Sequence, residues 1–302
     1  MDWRTQLRGE AANDVATLDA ALGVALRDRE LVTALVDPRG PLFQRLEYVG
    51  DSILDAVVVC ELVARDDWSR TSLATLSAGQ QALVSDHALG RVAARRGLPP
   101  VRAFPASRRR LADRIEAAIG AVWVDCGFVA AERVARRLVV VPALGAAVGD
   151  PPVPEGPGDL DAERAATVLG HGVRQPAWFG AAARPGPAQR RLAVVGNAVL
   201  EAACSMAQYV DQPLDDEAAM STQRRSELSH SALSARAREL GLVADRSTDT
   251  RSVADRMQAI VGAATFDGGL ASGVSVACGV LGRRLVLGPL APGRGAVTGS
   301  GQ

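Results

Sequence analysis

Two carboxylates stand four residues apart in an otherwise apolar run near the start of the chain. Glu47 and Asp51 lie within Arg45–Leu54, whose other members are mostly aliphatic, small or aromatic. Residues i and i+4 of a helix share one face, so both carboxylates are expected to point the same way. Because like charges at this spacing repel each other, the pattern indicates a cation between them and therefore a metal-dependent enzyme.

A second acidic pair follows about sixty residues downstream. Asp113 and Glu116 are three residues apart among small and aliphatic side chains, which again places both on one helix face. Carboxylates from two apolar helices would together suit a hard divalent cation such as Mg²⁺, which takes oxygen ligands. For either pair alone the alternatives are exposed acids on an amphipathic helix, or an acid paired with Arg45 or Arg114. The presence of both pairs favours a shared site.

Both stretches resemble the motifs of the ribonuclease III family. Arg45–Leu54 is similar to the signature motif of that family, and Ala112–Asp125 is similar to its second acidic motif. The resemblance extends over roughly residues 18–140. It implies an all-α domain that hydrolyses phosphodiesters in double-stranded or structured RNA with Mg²⁺, for which Mn²⁺ can substitute. The catalytic and metal-binding residues that it implies are Glu47, Asp51, Asp113 and Glu116.

The remainder of the chain repeats both motifs with most acidic positions lost. Arg191–Leu200 repeats the signature, and Ala254–Ala259 repeats the second motif. The residues at the four acidic positions are Ala193, Asn197, Asp255 and Gln258. A site with a single carboxylate should hold Mg²⁺ poorly, so we expect this copy to be retained for packing rather than catalysis. Neutral drift after duplication is the alternative.

Arginine supplies all of the basic charge apart from histidine. The chain has no lysine, and its 34 basic and 34 acidic residues give a net charge of zero. It therefore lacks the basic surplus that is typical of nucleic-acid-binding proteins. Arg108, Arg109 and Arg110 lie just before the helix expected to carry Asp113, where their guanidinium groups could bind an RNA phosphate. The alternative is that they form a solvated loop.

Helical spacing of apolar residues predicts an all-α protein with two tandem domains. Residues 1–148 would form the intact ribonuclease III-like domain, 149–158 a linker rich in Pro and Gly, 159–290 the degenerate domain, and 291–302 a disordered tail. We therefore expect no double-stranded-RNA-binding domain. The chain contains no apolar run of membrane-spanning length and no signal-peptide pattern. Its cysteines are scattered, as expected in a reducing compartment, so we expect a cytoplasmic protein with no membrane partner.

The resemblance also implies how the two domains would assemble. Ribonuclease III domains work as pairs along a duplex, so the two copies would form a pseudo-twofold pair within one chain, and a monomer is favoured over a homodimer. One intact site per chain would then nick one strand. Two alternatives stay open: the first domains of two chains pair and cut both strands, or the protein is a non-catalytic RNA-binding or ribosome-associated scaffold.

Overall fold

Helices are the only regular elements in the part of the chain that the computed structural model describes. The described residues are 9–36, 40–65, 72–98, 108–145, 153–212, 216–241, 249–285 and 287–290. No β-strand occurs within these ranges, which confirms the all-α prediction. None of the described helices is both long and apolar enough to cross a bilayer.

Each half of the chain is built around one long helix and one slightly shorter helix that pack together. The helices of the first half are α1 (Gly9–Leu22), α2 (Arg29–Val36), α3 (Pro41–Arg65), α4 (Leu73–Val84), α5 (Asp86–Arg95), α6 (Arg108–Cys126), α7 (Phe128–Ala135) and α8 (Val141–Leu144), with a π-helical turn at Arg136–Val140. Those of the second half are α9 (Leu160–Val168), α10 (Pro176–Ala183), α11 (Pro187–Asp211), α12 (Glu217–Glu227), α13 (His230–Glu239), α14 (Thr250–Gly268) and α15 (Leu270–Leu281).

Glycines bring the two central helices of the first half unusually close together. A Cβ atom placed on Gly50 of α3 would overlap the backbone carbonyl of Glu116, and one on Gly120 of α6 would overlap the carbonyl of Leu46. Only glycine has no Cβ, so these two positions allow the backbones of α3 and α6 to touch. The contact lies between the two motifs and holds them in a fixed register.

The second half has the same kind of helix crossing. A Cβ atom on Gly196 of α11 would overlap the carbonyl of Gln258, and one on Gly262 of α14 would overlap the carbonyl of Leu192. The four glycines occupy matching positions of the repeated motifs. The geometry that joins the two motifs is therefore present in both halves.

The ends of the repeated helices also correspond. Ser85 caps α5 by accepting a hydrogen bond from the amide of Ala88, and Ser229 caps α13 in the same way. Gly127 and Gly269 end α6 and α14 with φ values of 88° and 87°, in the left-handed region that favours glycine. These caps and turns fix where each helix of the repeat begins and ends.

The halves contact each other through α3 and α11, which pack antiparallel. Tyr48 donates a hydrogen bond from its hydroxyl to Gln208 Oε1 over 2.8 Å, and the hydroxyls of Ser52 and Ser205 are hydrogen-bonded at 2.9 Å. All of these contacts are buried. Because an unpaired buried polar group is costly, each side chain depends on its partner in the other half.

Two buried arginines close the C-terminal ends of helices. Arg45 donates to the carbonyl oxygens of Tyr209 and Gln212 at the end of α11 over 2.7 and 2.6 Å. Arg114 donates to the carbonyl of Leu35 at the end of α2 over 2.7 Å. The last carbonyls of a helix have no partner within the helix and carry partial negative charge, so a guanidinium group stabilises them.

The predicted linker is only partly within the described residues. Residues 153–158 contain no helix, in agreement with their Pro and Gly content. Residues 149–152 and the predicted tail at 291–302 lie outside the described residues. The proposed domain boundaries therefore stay a prediction.

Candidate active site

Three of the four predicted catalytic carboxylates converge where α3 crosses α6. The cluster comprises one carboxylate oxygen from each of Glu47, Asp113 and Glu116, and these three oxygens all lie within 4.8 Å of one another. All three side chains are half-buried. The convergence follows from the close contact at Gly50, since that residue lies directly against the backbone of Glu116. We call Glu47, Asp113 and Glu116 the carboxylate cluster.

Asp51 lies beside this cluster rather than within its 4.8 Å group. It is one helical turn beyond Glu47 on α3. After burial, the charge of Asp51 is the strongest contribution to the raised pKa of Glu116. The structure thus brings Asp51 near the cluster without placing its carboxylate among the three closest.

Burial and mutual repulsion raise the pKa values of all four predicted catalytic carboxyls. Burial, together with the charges of Asp51, Glu47 and Asp113, raises the pKa of Glu116 to about 9. Burial and the charge of Asp113 raise the pKa of Glu47 to about 7, and burial and the charge of Asp55 raise that of Asp51 to about 7. Without a cation, these groups therefore do not all ionise at neutral pH.

The cluster fits a divalent cation by its donor chemistry. It offers only carboxylate oxygens, which hard cations such as Mg²⁺ and Mn²⁺ prefer. A cation among Glu47, Asp113 and Glu116 would favour their ionised forms and so offset the repulsion that raises their pKa values. Strongly raised pKa values of several neighbouring acids are common at functional sites.

The second half contributes charged side chains that the sequence did not indicate. The charge of Glu217 on α12 raises the pKa values of Glu47, Asp51 and Asp113, whereas Arg224 on the same helix lowers that of Asp51. Arg224 belongs to a local pair of arginines with Arg225, but that pair does not indicate a position at the first site. A further signal is the repeat, because α12 corresponds to α4, which lines the cavity of the second half.

The three consecutive arginines are helical, contrary to the expectation that they precede the helix. The first turn of α6 consists of Arg108, Arg109 and Arg110. Arginine has a high helix propensity, so it favours this extension of the helix. Arg109 and Arg110 are exposed. Arg109 is close enough to lower the pKa values of Glu47 and Asp113. The structure thus connects Arg109 to the carboxylate cluster, whereas the side chain of Arg108 lies outside the described part of the structure.

The four corresponding residues of the second half form a different kind of site. Gln258 donates a hydrogen bond to Asn197 Oδ1 over 3.0 Å, and Asn197 donates to Glu201 over 2.8 Å. Asp255 is half-buried and Ala193 offers no ligand atom. All four residues line a cavity of about 410 Å³. Two carboxylates are thus replaced by a pair of amides that bond to each other.

Comparisons with known proteins find one matching family model and several similar proteins. The model of the ribonuclease III domain matches residues 44–127. Ribonuclease 3 of Xanthomonas axonopodis is 33% identical over 162 residues, which cover 51% of this chain and 66% of that relative. Ribonuclease 3 of Variovorax paradoxus is 36% identical over 121 residues, which cover 36% of this chain and 52% of that relative. The chain thus spans less than two thirds of the length of either relative.

A solved structure extends the likeness to more of the chain. The crystal structure of Dicer from Giardia intestinalis has a TM-score of 0.57 and covers 81% of this chain and 55% of its own, with 14% sequence identity. At this identity the likeness concerns the fold alone. The matched family model, the Ribonuclease 3 relatives and the all-helical fold agree with the resemblance of the two motifs. Residues 44–127 are a ribonuclease III domain, and the chain is similar to Ribonuclease 3 of Xanthomonas axonopodis over about half of its length.

Proposed function

We propose that the chain is a divalent-metal-dependent endoribonuclease that hydrolyses phosphodiesters in double-stranded or structured RNA. The observation that carries this proposal is the carboxylate cluster, which lies within the matched ribonuclease III domain. A protein that only binds RNA has no use for half-buried carboxylates that repel phosphate. Burial and mutual repulsion of these carboxylates destabilise the fold, and a bound cation would offset that repulsion.

In this proposal Glu47, Asp51, Asp113 and Glu116 hold Mg²⁺ directly or through water, and Mn²⁺ can replace it. A bound divalent cation lowers the pKa of a coordinated water and stabilises negative charge on the reacting phosphate. The chain itself contributes the position of the carboxylates, fixed by the contact of Gly50 with α6. Arg109, exposed and near the cluster, is suited to bind an adjacent phosphate.

A single active site per chain is the second part of the proposal. The second half keeps Asp255 alone among its acidic positions, and its Asn197 and Gln258 are bonded to each other. Neutral amides are weaker ligands than carboxylates for a hard cation. The enzyme is therefore expected to nick one strand of a duplex.

We further propose that the two halves are the catalytic pair, so that the active form is a monomer. The face of α3 that carries Tyr48 and Ser52 is buried against Gln208 and Ser205 of α11. A second chain could not use this face without displacing α11. The proposal predicts that light scattering gives the mass of one chain under the conditions of the cleavage assay.

A cleavage assay with each strand of a duplex labelled separately tests the proposed function. With Mg²⁺ or Mn²⁺, we expect cuts in one strand only. Glu116→Gln should abolish cleavage and leave RNA binding intact, because it removes a ligand but preserves size and hydrogen bonding. Staggered cuts in both strands by a dimeric species would contradict the single-site form. A wild-type protein that cuts no duplex with any divalent metal would instead support a scaffold.

A further inference from the structure

The cavity in the second half lies where its active site would have been. It has a volume of about 410 Å³, and its wall includes Asn197, Asp255 and Gln258 from the second half together with Asp55 and Gln80 from the first. A cavity of this size is large enough for part of a ligand. The loss of the acidic residues has therefore not closed the site.

Arginines line this cavity at positions that can be compared with the first half. Arg190 directly precedes the repeated signature, where the first half has Gln44. Arg251 lies three residues before the repeated second motif and corresponds to Arg109. Both Arg190 and Arg251 are exposed. The second half thus keeps the arginine near the site and gains another.

One more matched position loses negative charge. His230 follows the capping Ser229 and lines the cavity, whereas Asp86 follows the capping Ser85 in the first half. Asp86 is close enough to the first site to raise the pKa of Asp113. The three lost carboxylates, the loss of Asp86 and the gained Arg190 each make the second site less negative or more positive. One matched position changes in the other direction, because Gln80 at the cavity corresponds to Arg224 near the first site.

The acids that remain at the cavity are mostly engaged with amides. Glu201 accepts a hydrogen bond from Asn197 over 2.8 Å, and Asp55 accepts one from Gln80 over 3.1 Å. The carboxylate left from the repeated motif is Asp255, one helical turn after Arg251 on α14. Two of the three carboxylates at the cavity thus accept amide hydrogen bonds, and only Asp255 remains at an acidic position of the repeated motif. The two exposed arginines supply guanidinium donors, so the site is better suited to a phosphate group than to a metal ion.

We propose that this cavity binds a backbone phosphodiester of the RNA strand that the chain does not cut, with Arg190 and Arg251 as its cations. The proposal rests on the proposed function for the identity of the ligand. It gives the second half a role in substrate binding beyond packing. Since no carboxylate quartet is needed, the contact forms without divalent metal.

Equilibrium binding of a duplex RNA in the presence of EDTA tests the proposal independently of cleavage. Fluorescence anisotropy would compare the wild-type protein with the double variant Arg190→Gln/Arg251→Gln over a range of salt concentrations. We expect the affinity to fall about tenfold at moderate salt and the salt slope of log K to fall by about 1, because the two arginines contact the same phosphate. The first substitution introduces the residue that the first half has at this position.

The matched control is Arg29→Gln/Arg164→Gln, which removes the same charge from exposed residues outside the cavity. This control should keep nearly wild-type affinity and slope. An equal loss in both double variants, or no loss in either, would overturn the proposal. Cleavage of the same duplex by the wild-type protein with Mg²⁺ tests the nuclease proposal separately, because the binding comparison is made in EDTA and does not depend on catalysis.

A neutral methylphosphonate linkage, moved along one strand at a time, identifies the phosphate. We expect one short stretch of the uncut strand where this change weakens binding by the wild-type protein and has no effect on binding by Arg190→Gln/Arg251→Gln. A sensitive stretch that stays equally sensitive in the double variant would overturn the assignment. Wild-type cleavage with no sensitive linkage on the uncut strand would overturn the cavity proposal and leave the nuclease proposal intact.

Discussion

Gln258 donates a hydrogen bond to Asn197 over 3.0 Å at the positions that correspond to Glu116 and Asp51. Both pairs sit at a helix crossing held together by glycine contacts. In the first half the two side chains are acids, and the charge of Asp51 raises the pKa of Glu116. In the second half the side chains at the same positions are amides that hydrogen-bond to each other. The repeat therefore contains one crossing that favours a cation and one that is stable without it.

Restoring the acids to the second half should destabilise the metal-free protein. The double variant Asn197→Asp/Gln258→Glu replaces a hydrogen bond by repulsion between two partly buried carboxylates. Loss of the bond alone costs about 1–3 kcal/mol when it leaves polar groups unsatisfied. Burial raises the pKa of an acid, so the loss of stability should be small at pH 5 and larger at pH 8. Thermal unfolding in EDTA at both pH values measures the difference.

Asp55→Asn is the control for this experiment, since it changes one acid near the same cavity without adding charge at the amide pair. It should not show the increased sensitivity to high pH. Equal stability of Asn197→Asp/Gln258→Glu and the wild-type protein at pH 8 would contradict the account of the amide pair.

Removing the most perturbed acid of the first half should have the opposite effect on stability. Burial and its acidic neighbours raise the pKa of Glu116 from 4.5 to about 9. The folded state therefore holds a proton that the unfolded state releases, and stability from this group is present below pH 4.5 and lost as the pH rises toward 9. In EDTA, Glu116→Gln should unfold at a higher temperature than the wild type at pH 8 and show a weaker pH dependence.

Added Mg²⁺ provides the internal comparison for this variant. It should raise the unfolding temperature of the wild type at pH 8, because a ligand that binds only the folded state stabilises it. The gain should be smaller for Glu116→Gln. A variant that is less stable than the wild type in EDTA at pH 8 would contradict repulsion within the carboxylate cluster.

The sequence was sufficient for those parts of the site that depend on local periodicity. Glu47 and Asp51 share a helix face because of their spacing, and the apolar residues around them predict a buried helix. The meeting of α3 with α6 depends instead on Gly50 and Gly120, whose absence of side chains matters only once the helices cross. The two acidic pairs favoured a shared site and the family resemblance implied it, but the spacing of residues does not show how the two helices come into contact.

The contributions from the other half could not be obtained in this way. Glu217 and Arg224 affect the pKa values of the first site from α12, far along the chain. Their position depends on the antiparallel packing of α3 against α11, which is a tertiary contact without a local signal. The hydrogen bond between Asn197 and Gln258 likewise joins two helices. It could be read only as a loss of charge before the structure showed the amides in contact.

Matched glycine substitutions should show that both helix crossings are equally constrained. Gly50→Ala and Gly196→Ala each place a methyl group against a backbone carbonyl of the neighbouring helix, which cannot move as a side chain can. Overpacking of this kind costs about 1–3 kcal/mol or more. We expect chemical denaturation to give a similar loss for both variants. Gly79→Ala is the control, because its Cβ would meet only side-chain atoms of Leu62 at 3.6 Å.

A difference in stability between the two glycine variants would contradict this prediction. If Gly196→Ala kept wild-type stability while Gly50→Ala did not, the second crossing would not be held by the same contact. The similarity of the two halves would then be limited to their sequence pattern.

Arg224 should couple the second half to the chemistry of the first. It donates hydrogen bonds to the hydroxyls of Ser52 and Ser205 over 2.6 and 2.9 Å, and its guanidinium lies 4.8 Å from the centre of the Tyr48 ring. It also lowers the pKa of Asp51. In Arg224→Gln the pKa of Asp51 should rise further, so a higher pH is needed to ionise it. We therefore expect the acid limb of the pH–rate profile to move to higher pH.

The neighbouring Arg225 separates this effect from a general loss of charge. It is exposed and bonds to Ser221 and Thr222 within α12, so Arg225→Gln removes the same charge without touching the contact between the halves. Its pH–rate profile should match that of the wild type. Arg224→Gln should also lose about 1.5–3 kcal/mol of stability, since its bonds involve a charged donor. If Arg224→Gln is destabilised but its pH–rate profile is not shifted, Arg224 contributes to packing alone. A shifted profile, measured where the variant is fully folded, requires an electrostatic effect on Asp51.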